Sequence, residues 1–341
     1  MSDQAMKRVG LVGCGARALD HLASYRGLAG TQVVACCAPS PRRRDPFAAE
    51  HGLKAYADPA EMIRAESLDV VHLITGPESR IALMTLVSDL GVPFCVVEKP
   101  IAIGVAGWRA LCELSEKTST VFATCHQLRW YDTLCRIRDA AQAGEFGELQ
   151  SVDFSAGMTL AGQGTHLLHY ARSLVGDPLV KRISATAQGW DTSDGYHPAP
   201  LGTRAELEFD NGITATWVSG PDAPRCGDPD VVWQHMRIGI RGSRGHAEYQ
   251  EFARWHIQTE SRRAEGDFGG FEHAKVINRA GQQNLYADML RGESPTGLPE
   301  TLHEWKVVLA LYTSALAGRP IDLDGFVPDD DLIERMQQRS A

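Results

Sequence analysis

Val9-Gly10-Leu11-Val12-Gly13-Cys14-Gly15-Ala16-Arg17-Ala18 decides how the rest of the chain is read. A short apolar run ends in G-x-G-x-x-A, and a helical pattern follows toward Gly27. Each small residue has a job in a strand–turn–helix. Gly13 permits the tight turn, Gly15 lets backbone approach a pyrophosphate, and Ala18 keeps the helix close to the sheet. The helix start adds N–H groups and the positive end of a dipole. Gly13, Gly15, Ala16 and Arg17 are therefore the candidates to hold a dinucleotide pyrophosphate. The competing reading is a tight βα turn without a ligand. The order strand, motif, helix favours the dinucleotide.

Working outward, residues 33–37 form a second apolar run, followed by 70–74, 94–97 and 121–125. Each is short and continuously apolar, as strands buried on both faces of a parallel sheet must be. Helical patterns lie between them, for example at 81–90 and 108–117. The alternation predicts an α/β fold, with an N-terminal Rossmann domain, a doubly wound parallel sheet, over residues 1–126. Beyond Gly147 strand patterns come closer together, at 149–156, 183–189, 204–209, 213–218 and 236–240. Asp210-Asn211-Gly212 marks a hairpin, because Asn-Gly supplies the positive-φ turn. Helical patterns fall at 167–175 and 302–316. Residues 127–341 are expected to form a C-terminal α+β domain on a largely antiparallel open sheet, for substrate binding and oligomerisation. The last helix is expected to be able to pack back on the first domain.

The end of the second strand tunes the expected cofactor. An NAD site usually places Asp or Glu about 20 residues beyond the glycines, for the ribose 2′-hydroxyl. Here that place is Ala38, followed by Pro39-Ser40-Pro41-Arg42-Arg43-Arg44. A hydroxyl at Ser40 and guanidinium groups at Arg42 and Arg43 suit a 2′-phosphate. The expectation is NADP, with NAD as the alternative; a solvated helix start is the competing role for the arginines.

Bulk properties narrow the class. The 341 residues are 43% hydrophobic and 23% charged, an ordinary globular balance for two domains. A formal net charge of −9 makes nucleic acid a poor default partner. The start of the chain shows no secretory pattern, and no apolar run reaches the ~20 residues that span a bilayer. None of the eight cysteines forms a C-x-x-C pair, so buried thiols in a reducing cytoplasm are expected.

Val96-Val97-Glu98-Lys99-Pro100, with E-K-P closing a Rossmann strand, resembles the Gfo/Idh/MocA oxidoreductase family. The resemblance covers most of the chain. Gly144-Glu145-Phe146-Gly147-Glu148-Leu149 is similar to the family's link into its second domain. Gln163-Gly164-Thr165-His166 and Gly242-Ser243-Arg244-Gly245 are similar to landmarks within that domain. The resemblance implies that Lys99 sits beside the nicotinamide and the reacting carbon, and that Lys99-Pro100 is a cis peptide. Chemistry agrees: hydride loss from an alcohol carbon requires the hydroxyl proton to leave, and a desolvated lysine can exchange it. A surface lysine paired with Glu98 is the plainer alternative. The resemblance makes His166 an active-site histidine opening a helix, and places Ile74-Thr75-Gly76-Pro77 over the cofactor. Cofactor candidates therefore also include Thr75, Pro77, Glu98 and Lys99.

The sequence departs from the family pattern at named positions. Gly162 and His169 stand where many members carry Asp, four residues before and three after His166. Arg80 stands where the family often has histidine. His166 and His169 form H-x-x-H, but no third ligand is identifiable, so no metal is expected. Gln127, Arg129 and Trp130 follow a strand at the ligand-binding edge and join Lys99, His166 and His169 as substrate candidates. Tyr196-His197-Pro198 lies in a polar loop as a candidate cover.

Three functions follow as expectations. The first is an NAD(P)-dependent dehydrogenase or reductase acting on a hydroxyl or keto carbon of a sugar, cyclitol or related polyhydroxy compound. Lys99 would be its acid/base, with His166. The second is a redox-neutral sugar lyase or glycoside-cleaving enzyme that recycles its NAD. The third is a non-catalytic dinucleotide-binding regulator. A homo-oligomer, dimer or tetramer, is expected through the open sheet face.

Overall fold

The computed structural model describes residues 6–191, 199–228, 230–267 and 271–340. Tyr196-His197-Pro198 lies outside the described residues. The chain forms two compact units, one of residues 1–102, 109–127 and 278–302, the other of 103–108, 128–277 and 303–341. Against the expected single boundary at 126, residues 278–302 group with the first unit, and the last helix with the second.

In the first unit, the described strands are β1 Lys7–Val12, β2 Thr31–Cys37, β3 Lys54–Tyr56, β4 Val70–Leu73, β5 Phe94–Val97 and β6 Val121–Thr124. They pair in parallel in the order β3-β2-β1-β4-β5-β6, the doubly wound arrangement. Val9, Leu11, Val70, Val71, Leu73, Val96 and Val97 are fully buried, each contributing roughly 1.5–3 kcal/mol by leaving water. The helices are α1 Ala16–Arg26, α2 Pro41–His51, α3 Pro59–Glu66, α4 Pro77–Asp89 and α5 Val105–Lys117. Prolines at the starts of α2, α3 and α4 fit a position whose N–H has no helical acceptor. The buried face of α1 carries Ala18, His21, Leu22, Ser24 and Tyr25, at helical spacing.

The second unit continues with α6 Asp132–Gln142, β7 Leu149–Ala156, α7 Thr165–Leu174, β8 Val180–Gln188, β9 Gly202–Phe209 and β10 Thr214–Ser219. Then come β11 Met236–Gly242, β12 Gly245–Gln250, β13 Arg254–Thr259, β14 Arg263–Asp267, α8 Phe271–Leu290 and α9 Leu298–Ala317, of which residues 278–290 and 298–302 group with the first unit, and β15 Ile321–Asp322 and α10 Leu332–Ser340. The described strands make one sheet, ordered β14-β13-β12-β11-β7-β10-β9-β8-β15. Its pairs are antiparallel apart from the parallel β7–β10. In β9, Ala205, Leu207 and Phe209 are buried while Arg204, Glu206 and Glu208 are exposed. That alternation gives the sheet one covered and one open face. Asn211-Gly212 turns β9 into β10, with Gly212 at φ 84°. No helix among the described residues is long and apolar enough to cross a membrane.

Candidate active site

The dinucleotide turn is built by backbone constraint. Gly13 has φ +116°, and a Cβ there would stand 2.3 Å from the Ile74 carbonyl oxygen, so no side chain fits. The Gly13 N–H donates to the Cys37 carbonyl at 2.8 Å and ties the turn to β2. Gly15 is the opposite case: a Cβ would meet nothing within 4 Å. That open cradle lies at the start of α1, whose first turn has no acidic residue and whose cap makes no side-chain hydrogen bond. Thr75 Oγ1, on the loop after β4, is buried with no partner among the described residues. An open backbone cradle, a helix N-terminus and an unsatisfied hydroxyl fit a dinucleotide phosphate chain.

Around the second strand, Ala38 is buried and Ser40 caps α2 without a side-chain bond. Arg42 and Arg43 are exposed on the first turn of α2. Arg44 instead folds back, with Nη1 donating to the Ala38 carbonyl at 3.3 Å and Nε to Asp45 at 2.8 Å.

At the end of β5, Lys99-Pro100 is a cis peptide and Lys99 is half-buried. Glu98 stands beneath it in a network that reading the sequence missed. His21 Nε2 meets Glu98 Oε1 at 2.8 Å, His21 Nδ1 meets the Tyr286 hydroxyl at 2.6 Å, and Arg17 Nε lies 3.7 Å from the same carboxylate oxygen. Burial pushes the Glu98 carboxyl up, but the His21 bond and the Arg17, His21 and Lys99 charges outweigh it and hold it well below the usual range. His72 packs its ring 4.2 Å from that of His21 and is kept neutral by burial, with His21 adding to the effect.

Arg80, marked in the sequence only as standing where the family often has histidine, has partners that the sequence did not show. Its guanidinium is buried and donates to the carbonyls of Pro100 and Thr75, joining the E-K-P segment to the loop after β4. Burial lowers its pKa to about 10, so it stays charged at neutral pH. Pro77 opens α4 beside it and is buried. Gln127 is buried and donates from Nε2 to Asn278 Oδ1 at 2.9 Å.

In the second unit, α7 is buried along its whole length, so its polar side chains must find partners. His166 Nδ1 and the Tyr170 hydroxyl share a 2.8 Å hydrogen bond, their rings stacked at 15°. His169 Nδ1 lies 2.7 Å from Glu304 Oε1, and Arg172 Nη1 reaches the same oxygen at 2.9 Å. Burial first, and then Arg129 and Arg172, hold the His169 pKa well below the histidine range. A carboxylate thus stands beside α7 from a distant helix, although the family's local Asp positions are Gly162 and His169. Gly162 sits in a π-helical turn over Leu160–Gly164, where its N–H donates to Thr159 Oγ1 at 3.3 Å.

Arg129 and Asp177 form a two-pronged ion pair at 2.7 and 2.6 Å. Each terminal guanidinium nitrogen gives one hydrogen bond to the Asp177 carboxylate, which anchors the Arg129 side chain. Trp130, half-buried, ends the same 3₁₀ turn.

Comparison with known proteins agrees with the Rossmann fold of the first unit. Residues 7–126 match the oxidoreductase family with an NAD-binding Rossmann fold. D-apiose dehydrogenase of Paraburkholderia graminis is 30% identical over a stretch covering 51% of each chain, so the match spans about half of that relative. D-apiose dehydrogenase of Rhizobium rhizogenes is 22% identical over 92% of this chain and 96% of its own. Among solved structures, an oxidoreductase from Agrobacterium radiobacter, in complex with NAD+, L-tartaric acid and magnesium, superposes with a TM-score of 0.81. It is 20% identical, over 95% of this chain and all of that one.

Proposed function

We propose that the chain is a Gfo/Idh/MocA oxidoreductase and, on that premise, a dehydrogenase or reductase of polyhydroxy compounds. Its substrate is a sugar, cyclitol or related molecule, reacting at a hydroxyl or keto carbon. The D-apiose dehydrogenase names of its relatives support the substrate class. A bound nicotinamide dinucleotide supplies the hydride acceptor or donor. Gly13, Gly15, Ala16 and Arg17 hold its phosphates, with Thr75 and Pro77 alongside.

The setting of Lys99 carries the reading. To take the proton of a substrate hydroxyl, Lys99 must give up its own. An adjacent carboxylate alone would oppose that by favouring the ammonium form. Here the Glu98 charge is shared with His21 and Arg17, which weakens its hold on Lys99. Arg80 fixes the carbonyl of Pro100 and so the backbone that aims the lysine. His166, oriented by Tyr170, holds a substrate hydroxyl in the second unit.

Lys99→Ala should lower kcat by about 10²–10⁴ while the dinucleotide Kd stays within about threefold. Wild-type turnover in that variant would remove Lys99 from the mechanism. The same assay separates the other two readings. Reduced cofactor formed one-for-one with product supports a dehydrogenase; product without it marks a redox-neutral lyase. Tight dinucleotide binding without turnover on a broad sugar panel marks a regulator.

A further inference from the structure

Three side chains that can ligate a metal converge in the first unit, and the chemistry above gives two of them no task. His72 lies on β4, and the register His72, Val96, Ala123 runs across β4, β5 and β6. Cys125 follows Ala123 by two residues, so its side chain leaves from the same face as that of His72. The Cys125 N–H still donates to the Val97 carbonyl at 2.8 Å, which keeps the residue in the ladder. α1 lays His21 on that face, its ring centroid 4.2 Å from that of His72. One ligand atom from each of His21, His72 and Cys125 lies within 4.8 Å of the other two, and all three residues are buried. They are spread over residues 21–125, so no spacing motif marks them in the sequence.

The spacing suits ligands of one ion. Cys125 Sγ and His72 Nε2 are 3.7 Å apart, long for a hydrogen bond. With Zn–S about 2.3 Å and Zn–N about 2.05 Å, two ligands of a tetrahedral zinc stand about 3.5 Å apart. Burial, with His21 adding to it, keeps His72 neutral, which is the form of imidazole that binds a metal. His72 Nδ1 is buried with no partner among the described residues.

We infer that His21, His72 and Cys125 form a site for a thiophilic divalent cation such as zinc, and that filling it draws His21 off Glu98. The second half rests on the proposed role of Lys99. Cys125 binds as a thiolate: its S–H bond breaks, an S–Zn bond forms, and the proton goes to water. Both imidazoles bind neutral. The thiolate and the Glu98 carboxylate then offset the two charges of the cation, as a buried ion requires. Three protein ligands leave the fourth position to a water. Glu98, 12% exposed and bonded to His21, gives the cation its way in.

The movement falls on His21. β4 is paired to β1 and β5, and Cys125 is tied to Val97, so His72 and Cys125 stay in place. Both nitrogens of His21 are already bonded, to Glu98 at 2.8 Å and to Tyr286 at 2.6 Å. The cation therefore takes His21 only by turning its ring off these partners. Glu98, released from His21, holds the Lys99 ammonium more firmly, and turnover falls.

The test uses the full chain, reduced and stripped with a chelator, then titrated with zinc or cobalt(II). One zinc per chain is expected by calorimetry and elemental analysis, with a Kd of about 1 μM or tighter. Cobalt(II) is expected to give the near-ultraviolet charge-transfer band of a thiolate ligand. One equivalent of zinc should lower kcat on the sugar panel about tenfold or more, and chelator should restore it. Cys125→Ala and His72→Phe, residues with no part in the proton transfer, are expected to keep the zinc-free kcat and to resist zinc. Cys125→Ala should also lose the cobalt band. No bound zinc, a cobalt spectrum without the thiolate band, unchanged affinity in both variants, or zinc bound with full turnover overturns the proposal. If no sugar is turned over at all, the dehydrogenase reading fails by itself, and the cobalt band still decides whether the three residues bind metal.

Discussion

Glu98, partly buried, and Arg80, fully buried, carry charges of opposite sign, and each is held by groups from elsewhere in the first unit. Arg80 donates to the carbonyls of Thr75 and Pro100. Arg80→Met fills similar volume but leaves both carbonyls without that donor, at about 1–3 kcal/mol each. A lower urea midpoint with unchanged slope is expected, together with a lower kcat. Loss of stability without loss of kcat would separate Arg80 from the aiming of Lys99. Cofactor preference is also decided residue by residue. The proposal is NADP, through Ser40, Arg42 and Arg43, with Ala38 in the place where an acid would bind the ribose 2′-hydroxyl. Ala38→Asp adds that acid, which repels a 2′-phosphate. It is expected to move the ratio of kcat/KM toward NAD by about tenfold or more. An unchanged ratio in steady-state assays would refute the placement. Ala38 and His21, the partner of Glu98, differ in what sequence discloses. Ala38 is read from its distance to the glycines. The partners of His21 lie 77 and 265 residues away, so no local pattern announces them.

At the scale of elements, sequence pattern worked where apolar residues ran together or alternated clearly, as in β9, and failed where they did neither. β1, β2, β4, β5 and β6 each contain a short, largely apolar run and were legible. β3 is Lys54-Ala55-Tyr56, largely exposed and recognisable only through its pairing with β2. β12, β13 and β14 mix Gly, His, Glu and Arg with few apolar residues, so alternation was too weak to register. Just past β12 lies Glu251, 3% exposed, accepting a 2.7 Å bond from Tyr249. Burial raises its pKa to about 7, against 4.5 for the ordinary group, and the Tyr249 bond opposes this only in part. Between these values the folded chain keeps a proton that the unfolded chain releases. Stability should therefore fall as pH rises from about 4.5 to 7, on the order of 3 kcal/mol from this group. Glu251→Gln should flatten that slope, with little change at pH 4.5 and higher stability at pH 8. Parallel pH profiles of wild type and variant in urea would show that Glu251 does not titrate in this way.

For the molecule as a whole, the open face of the large sheet is the surface to explain. A row of paired positions runs Ser184, Glu206, Thr216, Asp153, Gly239, Glu248, His256, Glu265 across eight strands. Arg237 bridges Asp153 and Glu248 within it. We propose that this face joins copies of the chain. Light scattering should then give a multiple of 37.2 kDa. Thr216→Glu places a third acid between Glu206 and Asp153 in every copy, and should shift the mass toward monomer. A monomeric wild type would dispose of the proposal.

The division of the first unit into separated segments bears on how the chain is made. Ser24, His21 and Tyr25 on α1 are completed by Gln282 and Tyr286, which are synthesised about 150 residues after the sixth parallel strand. At ribosomal rates that is a wait of roughly 10–30 s. For that interval a nascent nucleotide-binding sheet carries an unfinished helix face, with His21 lacking its tyrosine. Until then, chaperone occupancy rather than native packing would guard the newborn domain.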